Sequence, residues 1–256
     1  MVGISLQDKI FYGPVFSRRF GRSYGINLLP TQYKLCSFDC IYCEYGRRRG
    51  QGRSLFHNDD LPNAREIIEE VEKALRKPRS VQSLTFSGNG EPTLHPDFYH
   101  IVLEVRKLRD QFCPNAQLVL LSNASQLFNP EVLKAINLFD IPMMKLDAGD
   151  EQTFKLINRP EYTIHLFDIL DGLKRLPHLM LQSMIIDGQI TNSRGEPYAA
   201  WVEAIMGLRP EKVQIYSADR PPADTNVEPV SPQKLKHIQK NLREVSNLEV
   251  DAFWIH

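Results

Sequence analysis

The chain has 256 residues, 42% of them hydrophobic, with 31 basic side chains against 31 acidic ones and four cysteines. That length supports one sizeable core, and the charge balance gives no bulk attraction to nucleic acid or to membrane surfaces. No apolar run approaches the ~20 residues of a membrane helix, and the N-terminus, MVGISLQDKIFYGP, lacks the basic-then-apolar pattern of a secretory signal. A cytoplasmic protein of one domain, 1–256, is expected. In that reducing compartment clustered thiols point to metal or redox chemistry rather than disulfides.

An extension, 1–24, comes first. YGINLLP reads as a strand just ahead of three cysteines. After Pro62, AREIIEEVEKALRK sets Ile67, Ile68, Val71, Ala74 and Leu75 on one helical face. SLTFSG is a short buried strand, DFYHIVLEVRKLRDQF a helix, QLVLLSN a strand, and PEVLKAINLF a helix opened by Pro130. MMKLDAG ends a strand. IHLFDILDGLKRL is a helix, LMLQSMIIDG a strand, YAAWVEAIMGL a helix and KVQIYSAD a strand. SPQKLKHIQKNLREV and LEVDAFWI close the chain as a helix and a strand within 221–256. About seven strands alternating with six main helices imply βαβ units and a parallel sheet over a core of about 25–220. The count falls short of the eight pairs of a full barrel. It fits an incomplete, open barrel, and a doubly wound open sheet nearly as well.

Small and polar residues follow the strands directly: Ser87-Gly88-Asn89-Gly90-Glu91, Ser122-Asn123, Asp147-Ala148-Gly149, Asp187-Gly188 and Ser217-Ala218-Asp219-Arg220. Turns alone call for such residues. In parallel α/β folds, however, the C-terminal strand ends converge on one face, where sites are built.

Cys36, Cys40 and Cys43 stand at i, i+4 and i+7 in KLCSFDCIYCEYG. On a helix they would form one stripe, with the outer pair about 10 Å apart, too linear to wrap an ion or cluster. A loop could wrap one. A structural zinc site wants four ligands, usually in paired short spacings. Here there is one group of three, and His57 lies 14 residues beyond Cys43. The remaining reading is an iron–sulfur cluster: [4Fe–4S] clusters take Cys thiolates, and three would leave one iron open. Cys113 is remote and reads as an ordinary small core residue. His95 reads as a packing or hydrogen-bonding group at a helix start, with a catalytic role as the alternative.

C-x3-C-x2-C with Tyr42 before the last cysteine, ahead of a β/α series, resembles the signature of the radical S-adenosylmethionine (radical SAM) enzymes. The resemblance implies a partial (β/α)6-type barrel with short N- and C-terminal extensions. It also implies one [4Fe–4S] cluster on Cys36, Cys40 and Cys43, and S-adenosylmethionine (SAM) on the open iron. By the same resemblance SGNGEP supplies Gly88, Asn89, Gly90 and Glu91 for the SAM amino group. LSNAS supplies Ser122 and Asn123 for its carboxylate or ribose, Tyr42 meets the adenine end, IIDG offers backbone to adenine, and Asp147 of KLDAG keeps a fourth-strand position. Lys145 replaces a serine there and is a candidate catalytic group. Arg220 is another, the alternative being a brace on the rim with Asp219 or Glu228.

The segments GPVFSRRFGRSYGINLLP, CSFDCIYCEYG, GNGEPTLHP, KLDAGDEQTFKLINRP, LQSMIIDG and VQIYSADRPPAD are similar to the group related to tRNA wyosine-base synthases. Those synthases carry a second cluster on cysteines before the SAM motif. This chain has none before Cys36, which implies a relative with a different substrate: a tRNA base or a small anionic molecule. Arg18, Arg19 and Arg22, and Arg47, Arg48, Arg49 and Arg53, are either solvated loop charges or a grip on phosphate or carboxylate. A flavodoxin or ferredoxin reductant and a monomeric state are further expectations. Two alternatives complete the reading: a glycyl-radical-enzyme activase and a non-catalytic zinc or iron–sulfur module.

Overall fold

The computed structural model describes residues 4–47, 60–77, 80–218, 224 and 226–254. Its main sheet starts earlier than the sequence suggests. β1 (Phe11–Ser17) and β2 (Gly21–Ile26) form an antiparallel hairpin, so the expected strand at YGINLLP lies further toward the N-terminus. The stretch read as an extension thus contributes the edge of the sheet.

From β2 onward every neighbour in that sheet is parallel. Next come β3 (Ser83–Phe86), β4 (Gln117–Ser122), β5 (Ile141–Lys145), β6 (Met180–Met184), β8 (Lys212–Tyr216) and β10 (Glu249–Phe253). No pairing joins β1 to β10 among the described residues, so the sheet curls into a half-barrel without closing. β7 (Ile186–Gly188) and β9 (Val227–Pro229) pair as a separate antiparallel ribbon. All four residues of β3 are buried, as a strand covered on both faces requires.

The helices form where caps and apolar stripes coincide. α1 (Ala64–Leu75) is capped by Asn63, whose side chain accepts from the Glu66 amide, and buries Ile67, Val71 and Leu75. α2 (Phe98–Phe112) buries Phe98, Ile101, Val102 and Val105. α3 (Pro130–Ile136) and α7 (Pro232–Ser246) open on proline after Asn129 and Ser231 caps. α5 (Leu166–Lys174) and α6 (Gly195–Leu208) form within the segments expected as helices, α6 starting three residues earlier. Each Leu, Ile or Phe buried in this way contributes about 1.5–3 kcal/mol. α4 (Glu151–Asn158) was not expected as a helix. Asp150 caps it by accepting from the Thr153 amide at 2.7 Å. None of the helices among the described residues is long and apolar enough to cross a membrane.

Inside the half-barrel, Phe20 from the β1–β2 turn packs on Val119 and Met143 as a small separate layer. The hairpin turn therefore plugs the barrel at the strand N-termini, while the opposite end stays open. All later chemistry sits at that open end.

Candidate active site

The cysteine segment is a loop, as wrapping requires, and it is clamped on two flanks. On one flank Leu35 forms a parallel bridge with Gly90, through Leu35 N–H to Asn89 O at 2.8 Å and Glu91 N–H to Leu35 O at 3.0 Å. Gly90 has φ of +144°, and a Cβ there would overlap the Leu35 carbonyl. Gly88, at φ of +145°, is similarly crowded by the Asn27 side chain. Gly90 is required because two backbones meet there, and Gly88 because the Asn27 side chain fills the space of a Cβ.

On the other flank Phe38 bridges Pro160, Ile41 N–H donates to Ile157 O at 2.9 Å, and Asp39 N–H reaches Asn158 O at 3.0 Å. Asn158, the last residue of α4, donates from Nδ2 to Cys40 Sγ at 3.4 Å and to Asp147 Oδ2 at 2.7 Å. From within the loop, the buried Lys34 ammonium holds Asp39 Oδ1 at 3.1 Å and Gly46 O at 2.7 Å. Tight turns then run from Cys40 O to Cys43 N–H and from Cys43 O to Gly46 N–H, each 3.0 Å.

The loop roofs a cleft of about 390 Å3 at the open end of the barrel. Cys36, Cys40, Cys43 and Tyr42 line it, together with Gly88, Gly90, Glu91, Ser122, Asn123 and Lys145. Among the described residues no three His, Cys, Asp or Glu side chains converge on one ion-sized point. A four-ligand zinc site needs such a point. Three thiols spread over one cavity instead suit a polynuclear cluster, and the donor set is all sulfur. Without metal two of the thiols are held protonated: burial pushes Cys40 up to about 11, partly offset by Lys145, and burial, with Cys40 and Glu91 close by, drives Cys36 higher. Metal loading must release those protons.

Glu91 is 2% exposed and rigidly held. Oε1 accepts from Thr93 N–H at 3.2 Å, Thr93 Oγ1 at 2.7 Å and Ser122 Oγ at 2.8 Å, and Oε2 accepts from Asn123 N–H at 2.6 Å. Burial still dominates these donors and raises its pKa above the usual carboxylate value. Asn123 Nδ2 donates to Ser37 Oγ at 2.9 Å and approaches Cys36 Sγ at 3.6 Å, tying the end of β4 to the cysteine loop.

Two expected cofactor contacts lie elsewhere. Asn89 is outside the cleft lining. Its Oδ1 accepts from Gln7 N–H at 2.8 Å, and its Nδ2 donates to Gln7 O at 2.9 Å and Pro30 O at 2.8 Å. It pins the N-terminal segment. The Asp147 side chain is wholly buried beneath the cleft. It accepts from Tyr42 Oη, from Asn158 Nδ2, and from Met184 N–H at 2.8 Å. Lys145 stands 3.7 Å from Asp147 and 3.5 Å from Tyr216 Oη. Burial alone would lower the Lys145 pKa, but Asp147, Tyr216 and Cys40 outweigh it and hold the ammonium above its ordinary value.

The arginines separate. Arg19 reaches into the cleft, whereas Arg47 is engaged by Asp224 at 3.1 Å, which also holds Arg159 at 3.2 Å. Arg48, Arg49, Arg53, His57, Asp219 and Arg220 lie outside the described residues. His95 is a helix-start fixture: Nε2 meets Pro62 O at 2.9 Å and Nδ1 accepts from Asp97 N–H at 3.1 Å. Sequence reasoning passed over Asn158, and over Lys34, Tyr12, Gln182 and Tyr216, which also line the cleft. Asn158 alone carried a signal, as the polar last residue before Arg159-Pro160.

Known proteins resemble this chain in sequence and in fold. A UPF0026 protein of Methanocaldococcus jannaschii is 32% identical over 227 residues, 86% of this chain and 67% of that protein. A Brachyspira hyodysenteriae protein named GTPase Obg is 27% identical over 250 residues, 96% of this chain but 35% of that protein. The present sequence carries no Gly-x4-Gly-Lys-Ser/Thr phosphate loop, so that name stays with the longer protein. The chain spans 35% and 54% of the first curated relatives it matches. In fold it superposes on Streptococcus suis SuiB bound to S-adenosylmethionine, with TM-score 0.65 over 91% of this chain and 51% of that one at 13% identity. It also superposes on TYW1 with a lysine-pyruvate adduct bound, with TM-score 0.59 over 88% and 74% at 14% identity. The family model for the Radical SAM superfamily, whose enzymes use a [4Fe–4S] cluster and SAM, matches residues 33–208. That span runs from just before the cysteine loop to the end of α6, and the chain belongs to the radical SAM superfamily.

Proposed function

We propose that this chain reductively cleaves SAM and uses the 5′-deoxyadenosyl radical to take a hydrogen atom from a substrate seated in the half-barrel. One observation carries the reading: three thiols of a single loop line the same cleft as a buried glutamate, two positive-φ glycines and the polar end of β4. Cys36, Cys40 and Cys43 hold the cluster, and when bound it supplies the electron that breaks the sulfonium bond of SAM.

The protein's own part is positioning. Glu91, already fixed by its donors, accepts from the amino group of SAM without reorganising. Gly88 and Gly90 let backbone approach the ligand, Ser122 and Asn123 face its carboxylate or ribose, and the Tyr42 ring lies toward adenine. Asp147 and Asn158 act through Tyr42 and Cys40 and are positioning residues. A flavodoxin or ferredoxin supplies electrons. The segment likeness across Gly13 to Asp224 supports a place near the wyosine-base synthases.

Anaerobic reconstitution tests this. The protein should bind about four irons and yield 5′-deoxyadenosine from SAM and dithionite. Cys40→Ala should lose both and Cys113→Ala should keep both. A colourless, zinc-loaded protein, or cleavage retained in the Cys40 variant, refutes the reading.

A further inference from the structure

Beneath the cysteine loop the cleft ends in a floor that the assigned SAM contacts do not use. Arg19 enters it from the β1–β2 turn, above the layer of Phe20, Val119 and Met143. Its Nη1 donates to Gln182 Oε1 at 2.7 Å, and its guanidinium stacks over Tyr216 at 4.8 Å and Phe20 at 5.1 Å. Lys145 pairs in register with Gln182 on the adjacent strand, and its ammonium is 3.5 Å from Tyr216 Oη. One glutamine and one tyrosine thus bring the two cations together.

Of the two, Arg19 is the one without a counter-charge. Among the described residues no carboxylate lies within ion-pair range of Arg19. Lys145 has only Asp147, at 3.7 Å, whose oxygens already accept from Tyr42, Asn158 and Met184. A guanidinium has five N–H donors, and a cation withdrawn from water without a counter-charge is costly.

We propose that Arg19 and Lys145 form a seat for an oxyanion, carboxylate or phosphate, of a small-molecule substrate that enters the half-barrel below SAM. The proposal rests on the radical SAM reading for what lies above the seat. The Arg fork and the Lys point charge suit a planar or tetrahedral oxyanion equally. The Phe20 layer beneath sets the depth of the seat, so the substrate's reacting carbon projects back toward the cysteine loop.

The test is calorimetric titration of the reconstituted holoprotein with SAM present, using malonate and inorganic phosphate as separate probes. At least one should bind saturably, and the stronger of the two names the source of the oxyanion. Arg19→Gln and Lys145→Met should each weaken it about tenfold or more, the loss of one charge-assisted contact. SAM affinity in Arg19→Gln should stay within about twofold. Should Arg19→Gln lose its thermal transition, Arg19→Lys keeps the charge, and its affinity should fall between wild type and Lys145→Met. Binding of neither probe, or equal binding by the variants, overturns the proposal. So does a proportional loss of SAM affinity, which would mean that the cations hold the carboxylate of SAM itself. Iron content and 5′-deoxyadenosine yield on the same preparations separate failure of the seat from failure of the radical SAM reading.

Discussion

The two flanks of the cysteine loop each carry a buried carboxylate just past a strand end, and the two carboxylates face different ways. On the β3 side Glu91 looks into the cleft, and the contact with the loop is backbone on backbone. On the β5 side Asp147 turns beneath the cleft, and the contact runs through side chains, from Tyr42 and Asn158 to Cys40. One flank presents an acceptor to a ligand, and the other fixes the scaffold that holds the thiols. Position after a strand does not define a role. Access to the cleft does: Glu91 lines it, and the Asp147 side chain is wholly buried.

The largest blow to this contrast is Gly90→Ala. The new Cβ meets the Leu35 carbonyl, and the backbone sits at φ of +144°. Relief requires the flank to part, so stability should drop by more than ~3 kcal/mol in urea titration, with loss of iron on reconstitution. Next is a matched pair. Asp147→Ala strands the Tyr42 hydroxyl, Asn158 and the Met184 amide and leaves Lys145 uncompensated, so it should cost about 3 kcal/mol or more. Glu91→Gln should cost less stability, yet raise the KM for SAM about tenfold or more. If the Asp147 variant shows the larger KM effect, the division of labour is wrong.

The smallest effect is a pH slope. Glu91 has a raised folded pKa, so it favours the folded chain most below the unfolded value of about 4.3. That contribution is lost as pH climbs through the raised folded value. In the apoprotein, Glu91→Gln should flatten the fall in stability over that window. An unchanged slope would show that its donors compensate its burial.

The parallel architecture was readable because it rests on local signals: runs such as SLTF, the stripe of α1, and proline after Asn129 and Ser231. The cysteine spacing was readable for the same reason. α4 escaped because its eight residues sit inside a stretch dominated by turn-like Asp147, Gly149 and Asp150. The hairpin escaped because Gly13, Pro14 and Gly21 break its alternation. Asp147 and Asn89 looked like ligands because strand-end polarity is visible in sequence, whereas the partners that use it up, Tyr42 at a distance of 105 residues and Gln7 at 82, are not. Arg19 is the converse case: by sequence it is either a solvated loop charge or an anion grip, and the hairpin turn swings it into the barrel.

Asp224 has a consequence in time rather than space. Its amide donates to Ile41 O at 2.9 Å, and its carboxylate holds Arg47 and Arg159. The loop bearing the thiols is made early on the ribosome, yet this last fastening is made far downstream. At cellular synthesis rates the interval is on the order of 10–40 s. A nascent chain therefore holds the loop by contacts such as those of Gly90, Asn123 and Asn158 for that interval before Asp224 can close the last one.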